Sequence, residues 1–203
     1  MENSMEQQKI KKVSWVYAIP VFLIPLIIMI GLLVASIKLI ENEVGIVLWT
    51  VGIIGGILWF IIGPDQIYRK KRDKKMQALD ASGFVRNHTF NADGCTVAVD
   101  VVHGNIAMVF KWNPGTCFVV PATRISNIWV DDGKMMGGTR RVSFLFIVDG
   151  VKVRVNTFTS NRTWSMKSNY VLEALSKADM MIERFQAAYR TAQNNGNYGN
   201  YNG

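Results

Sequence analysis

The chain carries WVYAIPVFLIPLIIMIGLLVASI (Trp15–Ile37), KLIENE (Lys38–Glu43), VGIVLWTVGIIGGILWFII (Val44–Ile62), GPDQIY (Gly63–Tyr68) and RKKRDKK (Arg69–Lys75) without a break. Neither long run contains a charged residue. At 1.5 Å per helical residue, about 20 such residues cross a hydrocarbon layer roughly 30 Å thick. The spacing predicts two membrane helices, over 13–37 and 44–62. With only Lys38–Glu43 between them, they must be antiparallel neighbours. Pro20 and Pro25 would kink the first helix, which membrane spans tolerate because neighbouring groups satisfy the released carbonyls. A cleaved signal sequence is the competing reading of the first run, but such cores are about 7–15 residues long. This run is longer and contains two prolines.

The charge pattern orients the hairpin. Lys9, Lys11 and Lys12 precede the first run, and Arg69–Lys75 follows the second, whereas the link has one lysine and two glutamates. Basic residues stay on the cytoplasmic side, so both termini are expected in the cytoplasm of an inner (plasma) membrane protein. The formal net charge is +8. Arg69, Lys70, Lys71, Arg72, Lys74 and Lys75 against Asp73 supply +5 of it within seven residues. Basic residues at such a flank are attracted to anionic lipid by about 1 kcal/mol each, so the cluster reads as a membrane-surface contact. It serves either to fix topology or to select an anionic lipid. No aromatic residues interleave with it, and nucleic acid is not an expected partner.

Within the hairpin, Gly31 and Ala35, and Gly52 and Gly56, are each four apart and form a candidate packing seam. Small residues let helix backbones approach where no hydrophobic effect drives association. The same faces could hold a homo-oligomer together, and glycine is in any case common in spans. No ionisable residue lies in either run, so no ion path is indicated.

Beyond a basic stem over 63–83, in which Gly63-Pro64-Asp65 is expected to end the second helix, the chain turns β-like. Strands are predicted at Phe84–Phe90, Cys95–Val102, Ile106–Trp112, Cys117–Val120, Arg124–Val130, Val142–Val148 and Val151–Phe158, with turn residues between them. Asp149-Gly150 is the clearest two-residue hairpin turn. Lys134–Arg140 reads as a mobile loop, and Arg140 and Arg141 as a candidate loop contact for phosphate. Val171, Leu175, Ala178, Ile182, Phe185 and Tyr189 recur at helical spacing and predict an amphipathic helix over 168–191. Residues 193–203, rich in Asn, Gly and Tyr, are expected to be disordered.

About seven strands followed by a closing helix, with the turn at Trp129-Val130-Asp131-Asp132-Gly133, resemble the pleckstrin-homology-like architecture of many small bacterial membrane-anchored proteins. The resemblance covers Phe84 to Thr191 and implies a partly open barrel over 84–192 that binds lipids, peptides or proteins through its loops. An α+β sheet domain with one packed helix is the alternative.

Chemistry is sparse. His88 and His103 have no ligands at metal spacing, and Cys95 and Cys117 form no paired motif. Nucleotide-binding, hydrolase and metalloprotease signatures are missing. No cofactor and no catalytic residue is expected. Trp129 and Trp164 read as packing residues. The expected function is a non-enzymatic two-span protein presenting a binding domain to a protein or anionic-lipid partner. The alternative is a structural subunit of an envelope assembly, or an exclusion or immunity factor acting through the hairpin.

Overall fold

The computed structural model describes residues 10–38, 43–92 and 94–199. The N-terminal residues 1–9, the middle of the link (39–42) and the end of the tail (200–203) lie outside them.

Helix α1 spans Trp15–Lys38 and α2 spans Glu43–Ala81. They lie side by side and antiparallel. The indole Nε1 of Trp59 donates to the Val21 carbonyl at 3.2 Å, and the Phe22 and Phe60 rings stack at 6.1 Å. Both helices are long and apolar enough to cross a membrane.

The end of α2 departs from expectation. Gly63-Pro64-Asp65 does not stop it: the helix continues through Pro64 and the whole basic cluster to Ala81, 39 residues in all. Proline costs a helix a hydrogen bond and crowds the preceding turn. Tertiary packing offsets this. The Trp59 ring lies close over Gly63, with ring carbons 2.8 Å from a Cβ placed there. Beyond the proline, Tyr68, Met76 and Leu79 are buried against the β domain, and this tertiary packing holds the helix where propensity alone would let it end.

That packing changes the first sheet. β1 (His88–Asn91), β2 (Cys95–Asp100), β3 (Asn105–Phe110) and β4 (Asn113–Pro121) form an antiparallel meander in that order. The alternation in β2 predicts one wet face, yet every residue from Cys95 to Asp100 is buried. Val97, Val99, Ile106 and Met108 face the main core. Ala98, Ala107 and Val109 face α2, so the second half of that helix is a layer of the domain.

The second sheet contains β5 (Ile125–Asp131), β6 (Lys134–Met135), β7 (Gly138–Val148) and β8 (Val151–Trp164). β7 is central, with β5 and β8 beside it. The Asp149-Gly150 turn is as expected, both residues having positive φ (49° and 76°) and Val148 pairing with Val151. The expected mobile loop is instead a tight hairpin: Lys134 pairs with Thr139 and Met135 with Gly138. Gly138 is required there, since at φ 146° a Cβ would lie 1.9 Å from the Trp164 carbonyl oxygen. β8 also continues to Trp164, through a polar stretch that apolar alternation does not mark.

Helix α3 (Asn169–Gly199) packs against strands of both sheets. Its buried stripe is Val171, Ala174, Ala178, Met181, Phe185 and Ala188. Leu175 and Ile182 flank it, and Tyr189 is exposed. The predicted face is therefore rotated by about one residue, because the alanines let the helix approach the sheets closely while bulkier neighbours ride at the edge. Phe185 meets Phe144 and Phe146, each at 5.0 Å between centroids. The helix extends to Gly199, so residues 193–199 are helical rather than disordered. No strand pairing joins the two sheets among the described residues. The observed layout is thus helices with two antiparallel sheets, not a closed barrel.

Candidate functional site at the junction of hairpin and domain

The hairpin and the domain meet at the chain segment that enters α1. Ile10 is 5% exposed and belongs to the main core, among Cys95, Phe110 and Val153. The Ser14 N–H donates to the Trp112 carbonyl at 2.8 Å, and Asn113 Nδ2 donates to the Lys11 carbonyl at 2.8 Å. Lys12 Nζ donates to the Lys152 carbonyl, and burial pulls this ammonium below its ordinary range. The turn at Lys111-Trp112 completes the contact. Lys111 pairs with Asp65 of α2 at 2.5 Å, and the Trp112 ring lies 5.4 Å from Phe22 of α1. Asn113-Pro114-Gly115, expected as the turn, instead opens β4.

Below this junction a groove of about 840 Å³ runs between α1 and α2. Its shaft is apolar, formed by Pro20, Ile24, Ile28, Leu32, Val51 and Gly55 among others. Its mouth is polar, formed by Ser14, Tyr17, Lys71 and Asn113. Lys71 Nζ stands 4.7 Å from the centre of the Tyr17 ring, and Lys71 has no acidic partner within 4 Å among the described residues. The Tyr17 hydroxyl is shielded and has no hydrogen-bond partner among those residues.

The predicted collar is therefore a set of helical positions, each with its own surroundings. Arg69, Lys70 and Lys74 are exposed. Arg72 pairs with Asp73 at 2.9 Å and lies 5.7 Å from the Tyr68 ring centre, while Lys75 is half-buried. Lys71 alone of the six lines the groove.

The seam divides. A Cβ on Gly52 would lie 3.3 Å from Leu32 Cβ, and one on Gly56 would lie 2.7 Å from Met29 Sδ, so both glycines receive side chains of α1. A Cβ on Gly31 would meet nothing within 4 Å, and Ala35 is exposed. Those two residues face away from α2 and are not part of the intramolecular seam.

Arg140 and Arg141 do not form a phosphate-gripping loop. They are consecutive on β7, at a register shift against β8, and each has its own partner. Arg140 Nε donates to Thr163 Oγ1 at 3.1 Å, and Arg141 reaches Asp131 at 3.6 Å. The exposed hairpin tip at Met136 lies beyond them, at the end of β7 opposite the Val148 turn near which Lys12 docks.

His103 is committed to Asp100 at 2.7 Å, and His88 lines a smaller cavity of about 290 Å³ with Asn156 and Lys177. Burial pushes the Cys95 thiol far up and that of Cys117 up to about 11, so neither offers a thiolate near neutrality. No cluster of metal-ligating side chains occurs among the described residues. Trp129 lies under Lys152 at 5.0 Å, and Trp164 lies between Arg162 and Tyr170.

Sequence reading missed Ile10, Tyr68 and the Tyr17–Lys71 pair. The spacing of Tyr68, Arg72, Met76 and Leu79 marks a buried helical face inside the charged run and would have found that helix. Ile10, alone among lysines, carries no periodic signal. Compared with known protein families, with curated proteins and with solved structures, the chain matches none.

Proposed function

We propose that the chain is a non-enzymatic integral protein of the inner (plasma) membrane, with both termini cytoplasmic. Its hairpin holds a pleckstrin-homology-like domain against the membrane face, where the domain recruits a protein or anionic-lipid partner. The observation that carries this reading is the continuity of α2 from its apolar run into the packing of the β domain. A domain built onto its anchor is held at a fixed height and orientation, which suits capture of a partner at the membrane surface. The order of a four-stranded meander, a second four-stranded sheet and a closing helix supports the pleckstrin-homology-like part of this reading. The apolar side chains exposed along α1 and α2, such as Ile27, Ile54 and Ile61, call for a non-aqueous surrounding.

The test is topology. The protein should resist alkaline extraction from membranes, and a C-terminal tag should be cut by added protease in inverted vesicles but not in intact spheroplasts. Release by alkali, or cleavage in spheroplasts, would overturn the reading. The alternative of action through the hairpin, within an assembly or oligomer, is favoured by one observation: Gly31 and Ala35 present a small-residue face that α2 does not use.

A further inference from the structure

We propose that the groove between α1 and α2 is a lipid site, seating one acyl chain of an anionic phospholipid with its headgroup phosphate at Lys71. The inference rests on the membrane reading above and gives its lipid partner a location.

Three features carry it. The first is a polarity gradient along one groove: Ser14, Tyr17, Lys71 and Asn113 at the mouth, then apolar side chains from Pro20 to Leu32 on α1. That apolar length is about 18 Å at 1.5 Å per residue, close to one leaflet of a hydrocarbon layer about 30 Å thick. The second is depth. The Lys111–Asp65 ion pair and the Trp112 ring against Phe22 set the level of the headgroups just where the apolar shaft begins. The third is charge. Lys71 is steadied by the Tyr17 ring and has no described acidic partner, the collar around it is strongly basic, and the N-terminus of α1 adds its positive dipole end. Of the carboxylates on α2 that flank Lys71, Asp65 pairs with Lys111 and Asp73 with Arg72.

A second helix is a poorer occupant. A groove of about 840 Å³ has the size of a small-ligand site, and an apolar helix would leave Lys71 at its mouth without an anionic partner.

Two glycines give a clean test. Gly55 lines the groove and a Cβ there would meet nothing within 4 Å, so the side chain of Gly55→Phe starts from open space in the shaft. Gly31 is equally open but does not line the groove, so Gly31→Phe adds the same bulk elsewhere. Full-length protein would be reconstituted in equimolar phosphatidylglycerol and phosphatidylethanolamine, extracted, and weighed with its retained lipid by native mass spectrometry. The wild type and Gly31→Phe should keep phosphatidylglycerol, and Gly55→Phe should lose it. Lys71→Gln should lower the preference for phosphatidylglycerol by about fivefold, as expected for one basic residue at an anionic surface. Equal retention in all four proteins, or a change of oligomeric state in Gly55→Phe without loss of lipid, would overturn the site. Either result leaves the membrane reading standing, because that reading fails by release in alkali or by cleavage in spheroplasts.

Discussion

Asp100 shows how one residue ties a turn together. Its side chain is 1% exposed, and it accepts hydrogen bonds from the Val85 N–H at 2.9 Å, the His103 N–H at 2.9 Å and the His103 ring at 2.7 Å. Burial alone would raise this carboxyl, but these donors and the His103 charge outweigh it and hold Asp100 below the ordinary carboxylate range. The sign follows. A depressed folded value means the ionised group stabilises the native state above the ordinary carboxylate pKa of about 3.9, and that stability is lost as pH falls through the folded value. Chemical denaturation of the full-length protein in micelles should therefore show a loss of stability as pH falls below about 3.9 that Asp100→Asn lacks, and Asp100→Asn should cost about 2 kcal/mol at neutral pH. An unchanged acid dependence in the variant would remove Asp100 from this role. Asp100 was legible only as the end of a valine-rich strand; its partners come from Val85 and a turn, which no spacing rule connects.

Among the elements, α2 decides the architecture. The sequence displays its two halves plainly, one apolar and one basic, and Gly63-Pro64 between them looks like a terminator. Whether a helix survives a proline depends on what its far side packs against, and that information lies in Ala98, Ala107 and Val109. The strands were largely legible, and the Asp149-Gly150 hairpin fully so, because turn chemistry is local. The β6–β7 hairpin and the rotated face of α3 were not, because Met136-Gly137 carries a weaker turn signal and alanines count little in a hydrophobic stripe. Met76→Ala, at a position 3% exposed, should cost about 2–4 kcal/mol. Limited proteolysis of the full-length variant should then open new sites over 69–81 while the α1–α2 pairing above them stays protected. A variant as resistant as wild type would mean that the basic half of α2 stands without the sheet.

For the whole molecule, the candidate site was visible only in outline. The collar and glycines stood out by composition, but which of them face the groove is set by the antiparallel register of α1 and α2. The same geometry predicts how pieces of the chain behave. A fragment over 80–193 leaves the outer face of the first sheet and the Ile10 position uncovered, and should aggregate; extending it to 66–193 restores Tyr68, Met76 and Leu79 and should raise its soluble yield. Size-exclusion chromatography of the two fragments reads this directly, and equal behaviour would show that α2 is dispensable to the sheet.

The contact between Lys11 and Asn113 joins positions 102 residues apart, with both helices between them in the chain. The hairpin is thus an insertion within the domain and not a leader ahead of it. During synthesis Ile10 emerges first and must wait until the strands that bury it have left the ribosome. By then both helices have been made, and its seat is reachable only if they have folded back on each other. Completion of the β core therefore reports that the hairpin has been correctly placed. A chain whose helices fail to pair would keep an open core, and cellular proteases could distinguish it from a finished one.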